Sequence, residues 1–253
     1  MIQEIINNLG LEVNILITIV GMVLGSFYNV VALRVLEGQS LNYPPSHCCK
    51  CKHRLKPLDL IPVFSYIALK GRCRYCGEKI SAIYPFGELL TAVSYLIVIN
   101  KFGYTLETLI NLIFITVMIL ATVADLKERV VPDRFVIIGV ISVLILRIIT
   151  GENLKYYIVS GIGAFTILLL ISILSRGKMG GADIKLYGLI GLSIGINGAI
   201  ISLIYASYVA LIVNIKKVIH WKEGRSVEIP FVPFITIGIL GTFIYSIKII
   251  PGL

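Results

Sequence analysis

Four of the five cysteines lie in two short pairs. Cys48 and Cys51 form the first pair, and Cys73 and Cys76 form the second, with residues 52–72 between them. Two C-x-x-C pairs at this spacing are typical of a structural zinc site, in which four thiolates complete the tetrahedral shell and leave no position for a catalytic water. A short hydrophilic stretch has too little apolar core to fold alone, so a bound metal would supply the missing stability.

Other interpretations of the cysteines stay open. The stretch could be a reduced, metal-free insert, or one pair could be redox-active, although a cytoplasmic location disfavours disulfides. Cys49 is the remaining cysteine and could compete with Cys48 as a ligand. His47 and His53 fit better as solvated neighbours of the site than as ligands.

Three aspartates lie beside apolar segments, where a carboxylate is costly unless it is used or paired. Asp125 ends one apolar run, Asp133 precedes the next, and Asp183 begins another after a glycine pair. We expect Asp125 and Asp183 to meet at one face of the membrane. Two carboxylates held close can hydrolyse a peptide bond, because their repulsion keeps one protonated while the other activates water.

A structural role is the alternative for each aspartate. Asp133 follows Pro132 and precedes an apolar run, which favours a helix N-cap, and Asp183 could also cap its helix. Asp125 could simply meet water beside Lys127 or Arg129. Its position at a helix C-terminus is nevertheless unfavourable for a negative charge, which suggests a specific use.

The elements that carry these residues are hydrophobic. The chain is 57% hydrophobic and 15% charged, with a mean hydropathy of +0.92, whereas soluble domains are about 25% charged. We therefore predict an all-α polytopic membrane protein in a lipid bilayer, with about eight transmembrane helices and a small cytoplasmic zinc-binding insert. The apolar runs are 15–33, 83–99, 106–124, 135–149, 157–174, 184–196, 198–218 and 231–247.

Basic residues predict the orientation, because cytoplasmic connections are enriched in Lys and Arg. With the amino terminus outside, 19 of the 23 basic residues lie inside, in connections 34–82, 125–134, 176–185 and 216–225. Fusing the sixth and seventh runs into one helix would reduce this bias, so eight helices are favoured. Because the charges follow the connections rather than one surface, no nucleic-acid partner is expected from the net charge of +9.

Three regions follow from this pattern. Residues 1–35 contain the first transmembrane helix, residues 36–82 form the four-cysteine cytoplasmic insert, and residues 83–253 form the transmembrane catalytic domain. The sixth run is short for a complete span, since at about 1.5 Å per residue it reaches only about 20 Å across a core of about 30 Å. Glycines in runs six and seven (Gly188, Gly191, Gly195 and Gly198) would allow close helix packing.

The chain resembles the type IV prepilin peptidases, which are bifunctional leader peptidases and N-methyltransferases. The resemblance extends from Gly25 almost to the carboxyl terminus. It rests on the segments 25–30 (GSFYNV), 45–51 (PSHCCKC), 59–66 (DLIPVFSY), 71–76 (GRCRYC), 84–88 (YPFGE), 125–133 (DLKERVVPD), 180–186 (GGADIKL) and 229–234 (IPFVPF).

The resemblance implies a membrane aspartyl protease with Asp125 and Asp183 as its catalytic pair. It implies cleavage of prepilins or pseudopilins, in type IV pilus assembly or protein secretion, after the glycine that ends a short basic leader. Methylation of the new amino terminus with S-adenosyl-L-methionine would follow. Ala182 stands where the family often has glycine, and Tyr28, Cys49 and Val232 also depart from its pattern.

The methyltransferase residues are not evident, because no glycine-rich cofactor loop follows a strand. The insert and nearby residues such as Glu88 are where the resemblance directs attention, although Glu88 could equally be a buried partner of a basic side chain.

Three other functions compete with the prepilin peptidase. An intramembrane aspartyl protease of the presenilin-like kind would not need the cysteine insert. A zinc-stabilised membrane scaffold or assembly protein would use the aspartates only as caps. A transporter would need carboxylates across the bilayer rather than at one face.

Overall fold

The computed structural model describes residues 2–151, 153–176, 179–219 and 229–249. Within them every apolar run of the sequence forms helix, and no strand is present beyond two isolated β-bridges. The helices are α1 (Ile2–Leu36), α2 (Phe64–Ala68), α3 (Ile83–Phe102), α4 (Leu106–Glu128), α5 (Asp133–Thr150), α6 (Leu154–Leu174), α7 (Gly181–Ile219) and α8 (Val232–Ile249).

Five of the helices in the described part of the chain are long and apolar enough to cross a membrane. They are α1, α3, α4, α6 and α7. The apolar part of α8, Val232–Tyr245, is shorter. The prediction of an all-α, multi-pass membrane protein is confirmed, because the described residues form helices and no named strand, and five of those helices are long and apolar enough to span.

Helix α7 contains the boundary between the sixth and seventh apolar runs. Gly195 has φ 76° and ψ 171°, a conformation that is essentially restricted to glycine. Tyr187, before Gly195, lies against Ser202, after it, although a straight helix would hold these residues about 22 Å apart. The chain therefore folds back at Gly195, and the two runs are separate helical halves, as the distribution of basic residues favoured.

The first half of α7 is too short to cross a bilayer, so its last carbonyl groups need partners within the protein. Arg147 of α5, only 1% exposed, supplies one: its guanidinium donates to the carbonyl oxygen of Ser193 at 2.6 Å. The same guanidinium pairs with both carboxylate oxygens of Glu107 on α4 and stacks 3.5 Å from the Tyr157 ring of α6. One buried cation thus joins four helices where α7 turns.

The chain divides into two compact units, Met1–Leu96 and Ile97–Leu253. In the first unit, α1 lies directly against α3, because a Cβ on Gly21 would stand 2.7 Å from the Cα of Ala92. In the second unit, a Cβ on Gly191 would stand 2.4 Å from the carbonyl oxygen of Ser160. Gly191 therefore packs closely as expected, whereas Gly195 serves the reversal of the chain.

The insert between α1 and α3 is built on two similar turns. The β-bridges pair His47 with Arg54 and Arg72 with Lys79, each enclosing one cysteine pair. In both turns the residue after the second cysteine has a positive φ, 56° at Lys52 and 72° at Gly77. Its backbone N–H donates to the carbonyl of the first cysteine, at 3.0 Å in one turn and 2.9 Å in the other.

Candidate active site and metal centre

Asp125 lies in the last turn of α4 and is 7% exposed. Its carboxylate accepts a hydrogen bond of 3.0 Å from the backbone N–H of Val232, the first residue of α8. A helix N-terminus attracts negative charge, so α8 compensates for the unfavourable C-terminal position of Asp125 on α4. Thr122, nearly one turn earlier, bonds Thr236 at 2.8 Å and fixes α4 against α8.

Asp183 lies in the first turn of α7 and is 8% exposed. Its carboxylate turns back toward Gly180, which precedes the helix. A Cβ on Gly180 would stand 3.2 Å from Oδ2 of Asp183, whereas a Cβ on Gly181 would meet nothing within 4 Å. Because Gly180 has no side chain, the Asp183 carboxylate has space beside it.

The two buried aspartates lie within electrostatic range of each other. The charge of Asp125 acts directly on Asp183, so the carboxyl end of α4 and the amino end of α7 lie at the same side of the second unit. Two carboxyl groups that approach each other closely can hold a single proton between them, which provides one general base and one general acid. This is the chemistry that peptide hydrolysis requires.

Asp133 does not cap α5 with its side chain, so the N-cap interpretation is corrected. The N-cap position is Pro132, and Asp133 is the first helical residue. Its carboxylate accepts a hydrogen bond of 2.6 Å from Nζ of Lys185 on α7. Both side chains are about half exposed, so the pair connects two helix ends at the surface.

The four paired cysteines converge in the insert. The sulfur atoms of Cys48, Cys51, Cys73 and Cys76 all lie within 4.8 Å of one another. Four sulfurs placed about 2.3 Å from a tetrahedral zinc ion would be about 3.8 Å apart, and the Cys48 and Cys76 sulfurs are 3.7 Å apart. The geometry fits a tetrahedral metal, and Cys49 is exposed outside the cluster.

The thiols also have the electrostatic character of a metal site. Backbone N–H groups of Cys51 and Lys50 lower the pKa of Cys48 to about 6. For Cys76, the N–H of Glu78 favours the thiolate, but burial and hydrogen bonds with the other three thiols outweigh it and raise the pKa. One thiolate therefore disfavours the next, and a divalent cation would remove that conflict.

A second buried carboxylate belongs to the first unit. Glu88, in α3, is 7% exposed and accepts a hydrogen bond of 2.7 Å from the backbone N–H of Val63 in the insert. The Ser26 side chain of α1 lies beside this carboxylate. Within the described residues Glu88 is thus partnered by a backbone amide and a hydroxyl, not by the basic side chain that the sequence left open.

Comparison with known proteins decides the family. Residues 19–102 match the bacterial peptidase A24 N-terminal domain, and residues 112–215 match the type IV leader peptidase family. A prepilin leader peptidase/N-methyltransferase of Bacillus subtilis is 30% identical over 233 residues, which cover 92% of this chain and 94% of the relative. The chain belongs to the type IV leader peptidase family. It is therefore an enzyme of the peptidase A24 class, and the resemblance seen in the sequence is confirmed.

Other leader peptidases agree over most of their length. A prepilin leader peptidase/N-methyltransferase of Vibrio cholerae is 31% identical over 261 residues, covering 93% of this chain and 97% of its own. One of Neisseria gonorrhoeae is 29% identical over 252 residues, covering 88% and 87%. No solved structure matches the chain.

Some partners of the candidate site residues were not apparent from the sequence. Val232, whose N–H donates to Asp125, lies in the segment 229–234 (IPFVPF) that contributed to the resemblance. The two prolines of this segment are a sequence signal for the start of a helix. The bond from Val63 to Glu88 joins residues 25 positions apart through backbone, and no side-chain pattern indicates it.

Proposed function

We propose that this chain is a membrane aspartyl endopeptidase that removes the leader of type IV prepilins or pseudopilins after glycine, at the cytoplasmic membrane face. The observation that carries the proposal is the pair Asp125 and Asp183, both less than one-tenth exposed and close enough for the charge of one to act on the other. Membership in the leader peptidase family gives the substrate class, and the relatives are named for it.

In the proposed reaction the ionised aspartate removes a proton from water as the oxygen attacks the scissile carbonyl carbon. The protonated aspartate donates its proton to the carbonyl oxygen, and a tetrahedral intermediate forms. Its collapse breaks the carbon–nitrogen bond, and the leaving nitrogen gains a proton, giving a free carboxylate on the leader and an amine on the pilin. The N–H of Val232 holds Asp125 in place, and the absence of a side chain at Gly180 leaves space for the Asp183 carboxylate.

Zinc is the metal we propose for the four-thiolate site. The donor set Cys48, Cys51, Cys73 and Cys76 is complete, so the ion would be structural, and it would hold the two turns of the insert together. No step of peptide hydrolysis passes through it.

Methylation of the new amino terminus is the second proposed activity, since the relatives are named as N-methyltransferases. S-adenosyl-L-methionine would supply an electrophilic methyl group. The described residues contain no strand followed by a glycine-rich loop, so a dinucleotide-type cofactor site does not fit, and we derive no catalytic step through the donor. Glu88 is the buried carboxylate to test, because the peptidase chemistry leaves it unused.

The test is reconstitution in liposomes with a prepilin-like substrate and S-adenosyl-L-methionine, followed by mass spectrometry of the product's amino terminus. Cleavage after glycine should be lost in Asp125→Asn and in Asp183→Asn, with both variants remaining folded. Glu88→Gln should still cleave but yield product without the added methyl group. Cleavage that survives either asparagine would contradict the dyad, and a folded parent without any cleavage would favour the zinc-stabilised scaffold.

A further inference from the structure

The insert exposes a row of large apolar side chains that its zinc site does not explain. We name as the apolar patch the residues Leu58, Leu60, Ile61, Phe64 and Ile67. Leu58, Phe64 and Ile67 are each about two-thirds exposed. Single exposed apolar residues are common, but five within ten positions of the sequence are a concentration that indicates an interaction surface.

The backbone holds this patch in a defined shape. Val63, at its centre, has φ 61° and ψ −50°, and the N–H of Phe64 donates to the carbonyl of Pro62 at 2.6 Å, which together form a γ-turn. A positive φ at a β-branched residue is strained and is kept only where the surroundings enforce it. Ile61 and Phe64, which lie close to Val63 in sequence, are both exposed.

Glu88 fixes the depth of the patch relative to the membrane helices. The N–H of Val63 donates to the Glu88 carboxylate at 2.7 Å, and Glu88 lies five residues after Ile83, where α3 begins. Five residues of helix rise about 7.5 Å, and interfacial protein segments lie about 5–10 Å into the boundary between head groups and acyl chains. The tip of the γ-turn is thus held beside the second turn of α3, about 7.5 Å along the helix axis from its first residue.

The charge of the insert fits the same surface. Residues 36–82 contain eight Lys or Arg residues and three Asp or Glu residues. Lys56 and Lys70, both exposed, lie at the two ends of the patch. Basic residues beside exposed apolar ones are the composition that binds the surface of a membrane with anionic lipids.

We propose that the apolar patch of the insert is a membrane-surface anchor that inserts its side chains among the lipids of the leaflet bearing the insert. The insert would then be held on the bilayer by its own side chains as well as by α1 and α3. This proposal does not depend on the peptidase chemistry, and its test requires no catalysis.

The test uses full-length protein in nanodiscs with brominated phospholipids, which quench tryptophan at short range. The chain's one tryptophan, Trp221, is first replaced by phenylalanine, and Phe64→Trp is compared with His53→Trp. His53 is exposed on the cysteine turn and stacks 3.7 Å from the Tyr75 ring, a contact that tryptophan can keep. Zinc content and thermal midpoint confirm that both variants are folded.

We expect bromine near the head of the acyl chain to quench Phe64→Trp at least about twofold more than His53→Trp, and more in discs containing phosphatidylglycerol than in neutral discs. Equal quenching in the two variants would overturn the proposal. The proposal would also be overturned if the tryptophan emission of Phe64→Trp did not depend on the lipid but changed when a prepilin or a second chain was added. The patch would then be a protein-binding surface. Photoactivatable phospholipid incubated with the unmodified chain gives an independent measure: cross-links should map to residues 58–67.

Discussion

Replacement of Gly180 by alanine should slow peptide hydrolysis without weakening the fold. The added Cβ would lie 3.2 Å from Oδ2 of Asp183, so the carboxylate must move by a few tenths of an ångström. A displacement of about 1 Å at a catalytic group costs about a hundredfold in rate, so we expect a loss of about three- to tenfold in kcat. That corresponds to about 1 kcal/mol of transition-state stabilisation.

The matched control is Gly181→Ala, one residue later. Its Cβ would meet nothing within 4 Å, so its rate should equal that of the parent. Because alanine favours helix and restricts the unfolded chain, neither substitution should lower stability. Initial rates on a prepilin-like substrate in liposomes, with thermal midpoints measured in parallel, provide the assay. Equal activity in the two alanine variants would refute the assigned role of Gly180, and loss in both would point to a general effect on α7.

Three further perturbations test other parts of the molecule. Arg147→Met should lower the free energy of unfolding by about 3 kcal/mol, and with it the thermal midpoint, because Glu107 and the Ser193 carbonyl lose a buried partner. Adding Glu107→Gln should recover part of this loss, because it removes the unpaired charge. An unchanged midpoint in Arg147→Met would contradict the role of Arg147 in joining the helices. Metal analysis should find about one zinc per chain, lost in Cys73→Ser and retained in Cys49→Ser; retention in both would exclude the four-thiolate site. Burial opposes ionisation of Asp59, but hydrogen bonds from Arg74, the Lys56 N–H and Tyr75 outweigh it and lower its pKa. Asp59 therefore stabilises the insert above the ordinary aspartate pKa of about 4, and the advantage of the parent over Asp59→Asn in hydrogen exchange should shrink as the pH falls below that value; a difference that does not vary with pH would contradict it.

The sequence predicted the elements well because hydrophobic length and period are local properties. The eight apolar runs and the cysteine pairs needed only residue type and spacing, and the grouping of the four thiols agrees with them. The separation of runs six and seven also followed from counting basic residues, although the cause, a backbone conformation at Gly195, appears only in the structure.

What the sequence could not provide were interactions through backbone atoms between distant segments. The N–H groups of Val232 and Val63, which hold Asp125 and Glu88, carry no residue-specific signal. Arg147 is one of the four basic residues that the predicted orientation leaves outside, yet it is buried beside Glu107. A charged residue near a helix end can serve either topology or packing, and only its surroundings distinguish the two.

The pairing of Arg147 with Glu107 bears on the order in which the protein is built. The two residues belong to consecutive helices, so they can neutralise each other as soon as α4 and α5 have both been synthesised. A helical hairpin carrying a closed ion pair partitions into lipid more readily than either helix with an open charge. The carbonyl of Ser193 is synthesised later and joins a partner already in place. When the short first half of α7 is added, Arg147, the partner of its C-terminal carbonyl, is therefore already present.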